Sequence, residues 1–180
     1  MSKRSRQIKE RYSLRMKVEF RAKIASPDDW QRVAELRLRA LADSPQWFAG
    51  DFARESARSE TDWRNMISNV DVVMFIHEER DLGIMSVEKA EPLRGTDCWL
   101  TGCWIDPEFR GRGITAMMIA QLDEICRKRG WRVQGLGVWP DNEVAIRAYL
   151  SCGFTKHGDP LPSRTRPGQM YQLMVRNLPD

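Results

Sequence analysis

Residues 98–128 read CWLTGCWIDPEFRGRGITAMMIAQLDEICRK, and this stretch predicts a strand that leads directly into a helix. Its first eight residues are mostly apolar and strand-like, whereas its last fifteen place apolar side chains at helical spacing. Between the two runs, Arg110 to Gly113 bring together two arginines and two glycines. The most flexible and the most positive residues of this region therefore meet at one strand-to-helix junction.

A helix that follows a strand through glycines leaves the N–H groups of its first turn without intrahelical partners. These donors, the helix dipole and the charges of Arg110 and Arg112 favour an anion, and Gly111 and Gly113 keep side chains out of its way. A phosphate or diphosphate is the predicted ligand. The alternative is a surface turn in which the glycines relieve backbone strain and the arginines are only solvated.

Two common nucleotide-binding motifs do not fit this junction. The chain contains no G-x-x-x-x-G-K-[ST], and a G-x-G-x-x-G that starts at Gly111 requires a glycine where the sequence has Ala116. A different anion-binding family must therefore be considered.

Strands and helices alternate along the rest of the chain. The predicted strands are 18–24, 72–76, 82–90, 98–105, 133–138, 154–157 and 170–176, and the predicted helices are 27–42, 59–69, 111–128 and 142–152. The second to fourth strands follow one another as an antiparallel meander, and the last two form a hairpin. This order predicts an α+β fold with a mixed, mostly antiparallel sheet.

Composition limits the classes of protein that need to be considered. The chain has 180 residues, enough for one domain with a hydrophobic core, and no apolar run long enough to span a membrane. Six basic residues and one acidic residue lie in residues 1–15, which predicts a disordered basic arm before a nearly neutral single domain, residues 16–180. Whether translation starts at Met16 is left open. No secretory signal is evident, so a cytoplasmic location is expected.

Residues 110–115, RGRGIT, resemble motif A of the GNAT superfamily of N-acetyltransferases, [QR]-x-x-G-x-[GA]. Thr115 departs from the small residue at the last position of that motif. A second match, N-x-x-A-x-x-x-Y-x-x-x-G-F, runs from Asn142 to Phe154, downstream of motif A as in the family. The resemblance extends from about Val18 to Arg176.

This resemblance implies the GNAT fold, with a sheet of six to seven strands, a splayed central pair and about four flanking helices. It also implies an N-acetyltransferase that uses acetyl-CoA and direct attack by an amine in a ternary complex. The pantetheine arm is expected to enter between the splayed strands. The cofactor-binding residues implied are Cys103, Trp104, Ile105, Arg110, Gly111, Arg112, Gly113, Ile114, Thr115 and Asn142.

Tyr149 is implied as the general acid that protonates the departing thiolate, although a lone helix tyrosine is often only a core residue. Asn142 is expected to cap its helix as well. Glu88, on the strand before the splayed one, is the candidate general base, and the alternative is a solvated carboxylate. Two roles are considered for Cys103. It is either a nucleophile or a small hydrophobic residue that is buried in the core.

The acceptor is expected to be a small-molecule or peptide amine that binds near the first two helices and the last hairpin. Trp47, Phe48 and Trp63 are aromatic candidates for that pocket. His77 and His157 are too isolated to indicate a metal site. A homodimer is left open, and nucleic-acid binding through the arm ranks last because no stacked aromatic residues accompany it. A noncatalytic acyl-CoA sensor is the alternative function.

Overall fold

The computed structural model of the chain describes residues 20–91 and 95–178. Within these residues, eight strands and five helices follow one another in the order β1 Phe20–Ile24, α1 Trp30–Asp43, α2 Phe52–Ser56, α3 Glu60–Asn69, β2 Asp71–His77, β3 Arg80–Lys89, β4 Cys98–Ile105, α4 Ile114–Lys128, β5 Val133–Val138, α5 Glu143–Ser151, β6 Thr155–Lys156, β7 Leu161–Pro162 and β8 Met170–Asn177. The basic arm predicted for residues 1–15 lies outside the described residues, as do the first two residues of the first predicted strand.

The strands form a sheet in the order β1-β2-β3-β4-β5-β8-β6, and β7 pairs with the start of β8. Only β4 and β5 pair in parallel among the described strands; the other neighbours are antiparallel. The mixed, mostly antiparallel sheet and the antiparallel meander are therefore confirmed. The strand count is higher than predicted because β7, only two residues long, lies in the loop that was assigned to the hairpin turn.

The central pair of strands separates partway along its length. Pairing between β4 and β5 covers only Cys98–Leu100 and Gln134–Leu136. Beyond these residues β4 continues to Ile105 and β5 to Val138 without pairing to each other. The splay that the family resemblance implied is thus present, and it exposes backbone groups on both strand edges.

A bulge interrupts β4 at the open end of this pair. Thr101 pairs with Ser86 and Trp104 with Ile84, so that two residues of β4 lie opposite one residue of β3. Gly102, within the bulge, has a φ of +66°, a conformation that glycine adopts without strain. The extra residue changes which face the following side chains occupy. Cys103 therefore packs on the same face of the sheet as Leu100, and Trp104 on the opposite face.

Helices cover both faces of the sheet. On one face, α4 and α5 pack against β2 to β5 with side chains that include Ile114, Met118 and Leu122, and on the other face α1 and α3 pack against Val72 and Met74. At the start of α3, Ser59 and Asp62 form a capping box that satisfies backbone N–H groups of the first turn. No helix in the described part of the chain has the length and apolar character needed to cross a membrane.

Candidate active site

The junction between β4 and α4 is shaped by two left-handed glycines. Gly111 has a φ of +74° and Gly113 a φ of +76°, and a Cβ on either would meet no atom within 4 Å. Backbone conformation, rather than lack of space, therefore requires glycine at both positions. For the same reason α4 begins at Ile114 and not at Gly111, where the apolar pattern had placed its start.

Backbone donors are left free at the start of α4. The N–H groups of Ala116 and Met117 both donate to the Gly113 carbonyl, at 3.1 and 3.3 Å. Within the described residues, the N–H groups of residues 111–115 have no hydrogen-bond acceptor. The predicted anion site therefore has a set of unpaired N–H donors at the positive end of a fifteen-residue helix.

The two arginines of the junction have different surroundings. Arg110 donates from Nε to the Ile105 carbonyl at 2.9 Å and pairs with the Asp43 carboxylate. Burial raises the pKa of Asp43, but its hydrogen bonds with Ser44, Trp104 and Arg110 outweigh burial and lower the pKa below its ordinary value.

Arg112 contacts residues that precede it in the junction. Its guanidinium stacks 5.0 Å from the centre of the Phe109 ring and donates to the Glu108 carbonyl at 3.1 Å. Both guanidinium groups are thus held by the protein, and the charge of Arg110 is partly neutralised by Asp43.

A cavity of about 1430 Å³ connects the predicted site residues. It extends from the start of α4, through the open end of β4 and β5, to the side of the sheet that carries α1 and α3. Of the predicted residues, the cavity is lined by Glu88, Cys103, Trp104, Ile105, Arg110, Gly111, Gly113, Ile114, Thr115, Asn142 and Tyr149. Arg112 is the predicted residue that does not line it.

Tyr149 and Cys103 contact the same core, and each influences the protonation of the other. Burial raises the pKa of the Cys103 thiol to about 11, even though hydrogen bonding with Tyr149 lowers it. Burial also raises the pKa of Tyr149 well above its ordinary value, and the neighbouring Cys103 raises it further. Both groups are therefore protonated at neutral pH. Such a thiol is a poor nucleophile, and such a phenol is a hydrogen-bond donor.

Asn142 and Glu88, the remaining polar residues that were predicted for the site, also line the cavity. The Asn142 side chain accepts a hydrogen bond from the Ala145 N–H at 3.1 Å, so it caps α5 as expected while also lining the cavity. Glu88 lies on β3 opposite Trp99, two residues from Ser86, and all three line the cavity.

The sequence model of the Acetyltransferase (GNAT) family matches residues 31–154, which include the junction, Glu88 and Tyr149. The chain belongs to the GNAT family. The family is one of acetyltransferases.

Solved structures of GNAT acetyltransferases share the fold. An acetyltransferase of the GNAT family from Streptococcus pneumoniae aligns over 89% of this chain and 100% of its own, with 17% identity and a TM-score of 0.72. YncA from Salmonella typhimurium, solved with its cofactor acetyl-CoA, aligns over 90% and 95% with 16% identity and a TM-score of 0.71. Spermidine N-acetyltransferase from Vibrio cholerae, in complex with CoA and spermine, aligns over 88% and 95% with 13% identity and a TM-score of 0.66.

A curated relative matches over a shorter stretch. An uncharacterised N-acetyltransferase of Methanocaldococcus jannaschii is 43% identical over 51 residues, which make up 28% of this chain. The match spans 23% of the length of that relative. The match is thus to part of an N-acetyltransferase and leaves the acceptor unspecified.

The GNAT cavity also contains charged residues that the sequence patterns had not singled out. Arg37 on α1 pairs with Glu55 on α2, and Arg58 lies beside Glu55. A signal was present, since Arg37 falls on the buried stripe of its helix between Val33 and Leu41. Glu55 carried no such signal because residues 47–56 have no clear helical or strand periodicity.

A second set of contacts closes the cavity near the last hairpin. Trp139 donates from Nε1 to the Trp47 carbonyl at 3.0 Å, and its ring lies under the Arg166 guanidinium at 5.4 Å. Arg166 in turn donates to the carbonyls of Pro45, Gln46 and Phe48. The loop before β8 is thus tied to the segment that follows α1, where the acceptor was expected.

Proposed function

We propose that this GNAT protein transfers the acetyl group of acetyl-CoA to an amine by direct attack in a ternary complex. The observation that carries the proposal is the continuous cavity. It joins the unpaired N–H groups at the start of α4, the open strand edge at Cys103, the Tyr149 phenol and, on the opposite face, the Glu88 carboxylate.

The chain offers suitable groups for the diphosphate and for the pantetheine arm of coenzyme A. The free N–H donors of residues 111–115 fit a diphosphate, which needs several donors and a positive potential. The unpaired edge of β4 beyond Leu100 fits the amides of a pantetheine arm, which would add to the sheet as an extended peptide does. The Ile105 carbonyl already accepts from Arg110, so Cys103 is the better placed backbone for this pairing. When bound, acetyl-CoA supplies an acyl carbon activated as a thioester.

The bulge in β4 is the place where this chain would stabilise negative charge on the thioester oxygen. We assign that role to the backbone N–H groups between Cys103 and Ile105, in the open part of the strand. One donor aimed at a developing oxyanion typically contributes about 3 kcal/mol to transition-state stabilisation. The left-handed Gly102 positions these donors by setting the direction of the chain before them.

Tyr149 is assigned as the proton donor to the leaving thiolate. Its raised pKa keeps the phenol protonated through neutral pH. A thiol has an ordinary pKa of about 8.5 and a phenol about 10, so full proton transfer is uphill and a strong hydrogen bond carries most of the effect. Cys103 is not assigned a chemical step, because its thiol is protonated as well.

Glu88 is assigned as the base that accepts a proton from the attacking amine, directly or through a water molecule. The need for a base depends on the acceptor. Deprotonating a lysine-like amine of pKa about 10.4 costs roughly 4.6 kcal/mol at pH 7, whereas an α-amine near 7.7 costs about 1 kcal/mol. Glu88 therefore contributes more to catalysis with the more basic amine.

Other features of the proposal rest on the sequence alone. They are a single catalytic domain over residues 16–180, a cytoplasmic location and a small-molecule or peptide amine as acceptor. The homodimer stays open as well.

The test is release of coenzyme A from acetyl-CoA in the presence of polyamines, amino acids, aminoglycosides and short peptides, each measured separately. The proposal expects thiol release with at least one class, together with an equal amount of N-acetylated product by mass spectrometry. Tight binding of acetyl-CoA without release with any amine would contradict it and would favour the acyl-CoA sensor.

A further inference from the structure

The Arg37 side chain lies on the acceptor side of the cavity. It projects from the buried stripe of α1, and only 20% of it is exposed to solvent. A guanidinium stays charged at every physiological pH and carries five N–H donors in a fixed plane. Burying it is costly unless those donors and that charge find partners.

Glu55 satisfies two of the three Arg37 nitrogens. Arg37 donates from Nε to Oε2 at 2.9 Å and from Nη2 to Oε1 at 2.8 Å, a bidentate pair. Glu55 is itself buried, with 3% exposure, and Arg58 Nη1 lies 3.7 Å from its Oε2. These three side chains place two positive charges and one negative charge in one wall of the cavity. The cluster therefore has a net charge of about +1, which an anionic group of a ligand would neutralise.

The third nitrogen of Arg37 faces the bulge of β4. A Cβ on Gly102 would lie 3.7 Å from Nη1, and the left-handed φ of Gly102 favours glycine there. Within the described residues, the hydrogen bonds of Arg37 are donated by Nε and Nη2 alone. Nη1 is thus directed at the part of the cavity that borders Cys103.

The position of this guanidinium is fixed before any ligand arrives. A Cβ on Gly50 would lie 2.1 Å from Glu55 Oε1 and 2.4 Å from Arg37 Nη2, so the backbone at Gly50 packs directly on the ion pair. The Arg37 guanidinium also lies 5.2 Å from the centre of the Phe48 ring. Such preorganisation reduces the entropy lost when a ligand binds.

Two acidic residues on this side of the cavity, Glu55 and Glu91, already have cationic partners. Glu55 is covered by two arginines, and Glu91 accepts hydrogen bonds from Arg164 at 2.7 and 2.8 Å. A polyamine gains most from carboxylates that lack such cationic partners. An acceptor that carries its own anion suits the cluster better.

We propose that Arg37, with Arg58 beside it, binds a carboxylate of the acceptor, and that the acceptor is therefore an amino acid rather than a polyamine or a peptide N-terminus. The inference rests on the proposed function, because it places the amine next to the thioester held at Cys103. Gly102 precedes Cys103, and neighbouring Cα atoms are about 3.8 Å apart. Two sites that border consecutive residues of β4 suit an acceptor whose amine and carboxylate are close together, as they are in an amino acid.

The test compares acids with their amides as acceptors. Coenzyme A release is measured with the twenty L-amino acids, with the matching amino acid amides, and with spermidine and spermine. The amide has the less basic amine, so any preference for the acid must come from binding of the carboxylate. We expect kcat/KM for the preferred amino acid to exceed that for its amide by about tenfold to a hundredfold, the effect of one hydrogen-bonded charge pair.

A double variant tests whether the cluster produces the preference for the acid. Arg37→Gln combined with Glu55→Gln removes both charges of the buried pair and keeps two side chains that hydrogen-bond to each other. The preference for the acid should be lost through a higher KM, while kcat with the amide and the KM for acetyl-CoA stay within about twofold of the native values. Arg54→Gln on α2 is the control, since its exposed side chain does not line the cavity.

Arg58→Gln provides a second test that keeps both hydrogen bonds between Arg37 and Glu55, and it should also lower the preference for the acid. Equal turnover of acid and amide, preferred turnover of a polyamine, or an acid preference that survives both changes would overturn the carboxylate subsite and leave the acetyltransferase proposal intact. Failure of every amine to release coenzyme A would refute the proposed function and this inference with it.

Discussion

The Tyr149 phenol on α5 and the Cys103 thiol on β4 are neighbours at the open end of the central strand pair. Burial raises the pKa of both groups, and their proximity raises the pKa of Tyr149 further. Neither group is ionised near neutral pH. The pair therefore presents a proton donor beside an uncharged sulfur, which suits stabilisation of a departing thiolate and does not suit covalent catalysis by Cys103.

Tyr149→Phe should lower kcat about a hundredfold, the lower end of the usual effect of a general acid. The dissociation constant for coenzyme A should stay within about twofold, because the change removes one hydroxyl and leaves the ring contact with Phe154. Tyr171→Phe is the matched control, since Tyr171 also lines the cavity but packs against Trp99. Equal losses of turnover and coenzyme A affinity in Tyr149→Phe would argue against a role in proton donation.

The pH profile of kcat/KM follows from the raised pKa of Tyr149. An acid acts only while it is protonated, and a raised pKa extends the protonated range upward. Activity should therefore rise with pH as the acceptor amine loses its proton, and should not fall before about pH 10, the ordinary pKa of a phenol. The profile is measured with saturating acetyl-CoA. A fall in kcat/KM below about pH 10 that occurs in the native protein and is absent from Tyr149→Phe would contradict the raised pKa of Tyr149.

Cys103→Ala should keep kcat within about threefold of the native value, because a thiol with a pKa of about 11 supplies little thiolate at neutral pH. Mass spectrometry of the native protein mixed with acetyl-CoA should detect no acetylated enzyme. A trapped acetyl group on Cys103, together with an inactive alanine variant, would replace direct attack with a two-step mechanism.

The sequence predicted the helices and strands in which buried residues repeat at the regular spacing of that element. The stripe Ile114, Met118 and Leu122 of α4 is almost fully buried, as its spacing indicated. The capping box of Ser59 and Asp62 at the start of α3 is also a local pattern, since both partners lie within four residues of each other.

The features that the sequence did not predict depend on contacts between distant segments. The Arg37 and Glu55 pair joins residues 18 positions apart, and no local pattern connects them. The bulge at Gly102 depends on how β4 pairs with β3, although an isolated glycine inside a strand pattern is a known sign of one. The helix start shifted to Ile114 because apolar periodicity carries no information about left-handed glycines.

Glu55→Gln should destabilise the fold by about 3 kcal/mol, because it leaves a nearly buried guanidinium without its counter-ion. Burial raises the pKa of Glu55, yet the hydrogen bonds and charge of Arg37 outweigh it and hold the pKa below the ordinary value of 4.5. The carboxylate therefore stabilises the fold above that pH, and this contribution is lost as pH falls through the lowered pKa.

Urea unfolding at pH 7 and at successively lower pH values measures both effects. The native protein should lose stability on acidification more steeply than Glu55→Gln. Glu60→Gln is the control, since Glu60 forms an exposed pair with Arg64 and should change stability little at any pH. A Glu55→Gln variant as stable as the native protein would show that the buried pair is dispensable for folding.

The central claim is that backbone N–H groups at the glycine-shaped start of α4 bind the diphosphate of coenzyme A. Gly113→Ala places an alanine in a strained left-handed conformation at the N-terminal end of α4. Gly130→Ala does the same just past the C-terminal end of α4. Both positions have open space for a Cβ. Calorimetric titration with coenzyme A should give saturable heat for the native protein and for Gly130→Ala, and about tenfold weaker binding for Gly113→Ala. No heat with the native protein, or equal affinities for all three, would contradict the account.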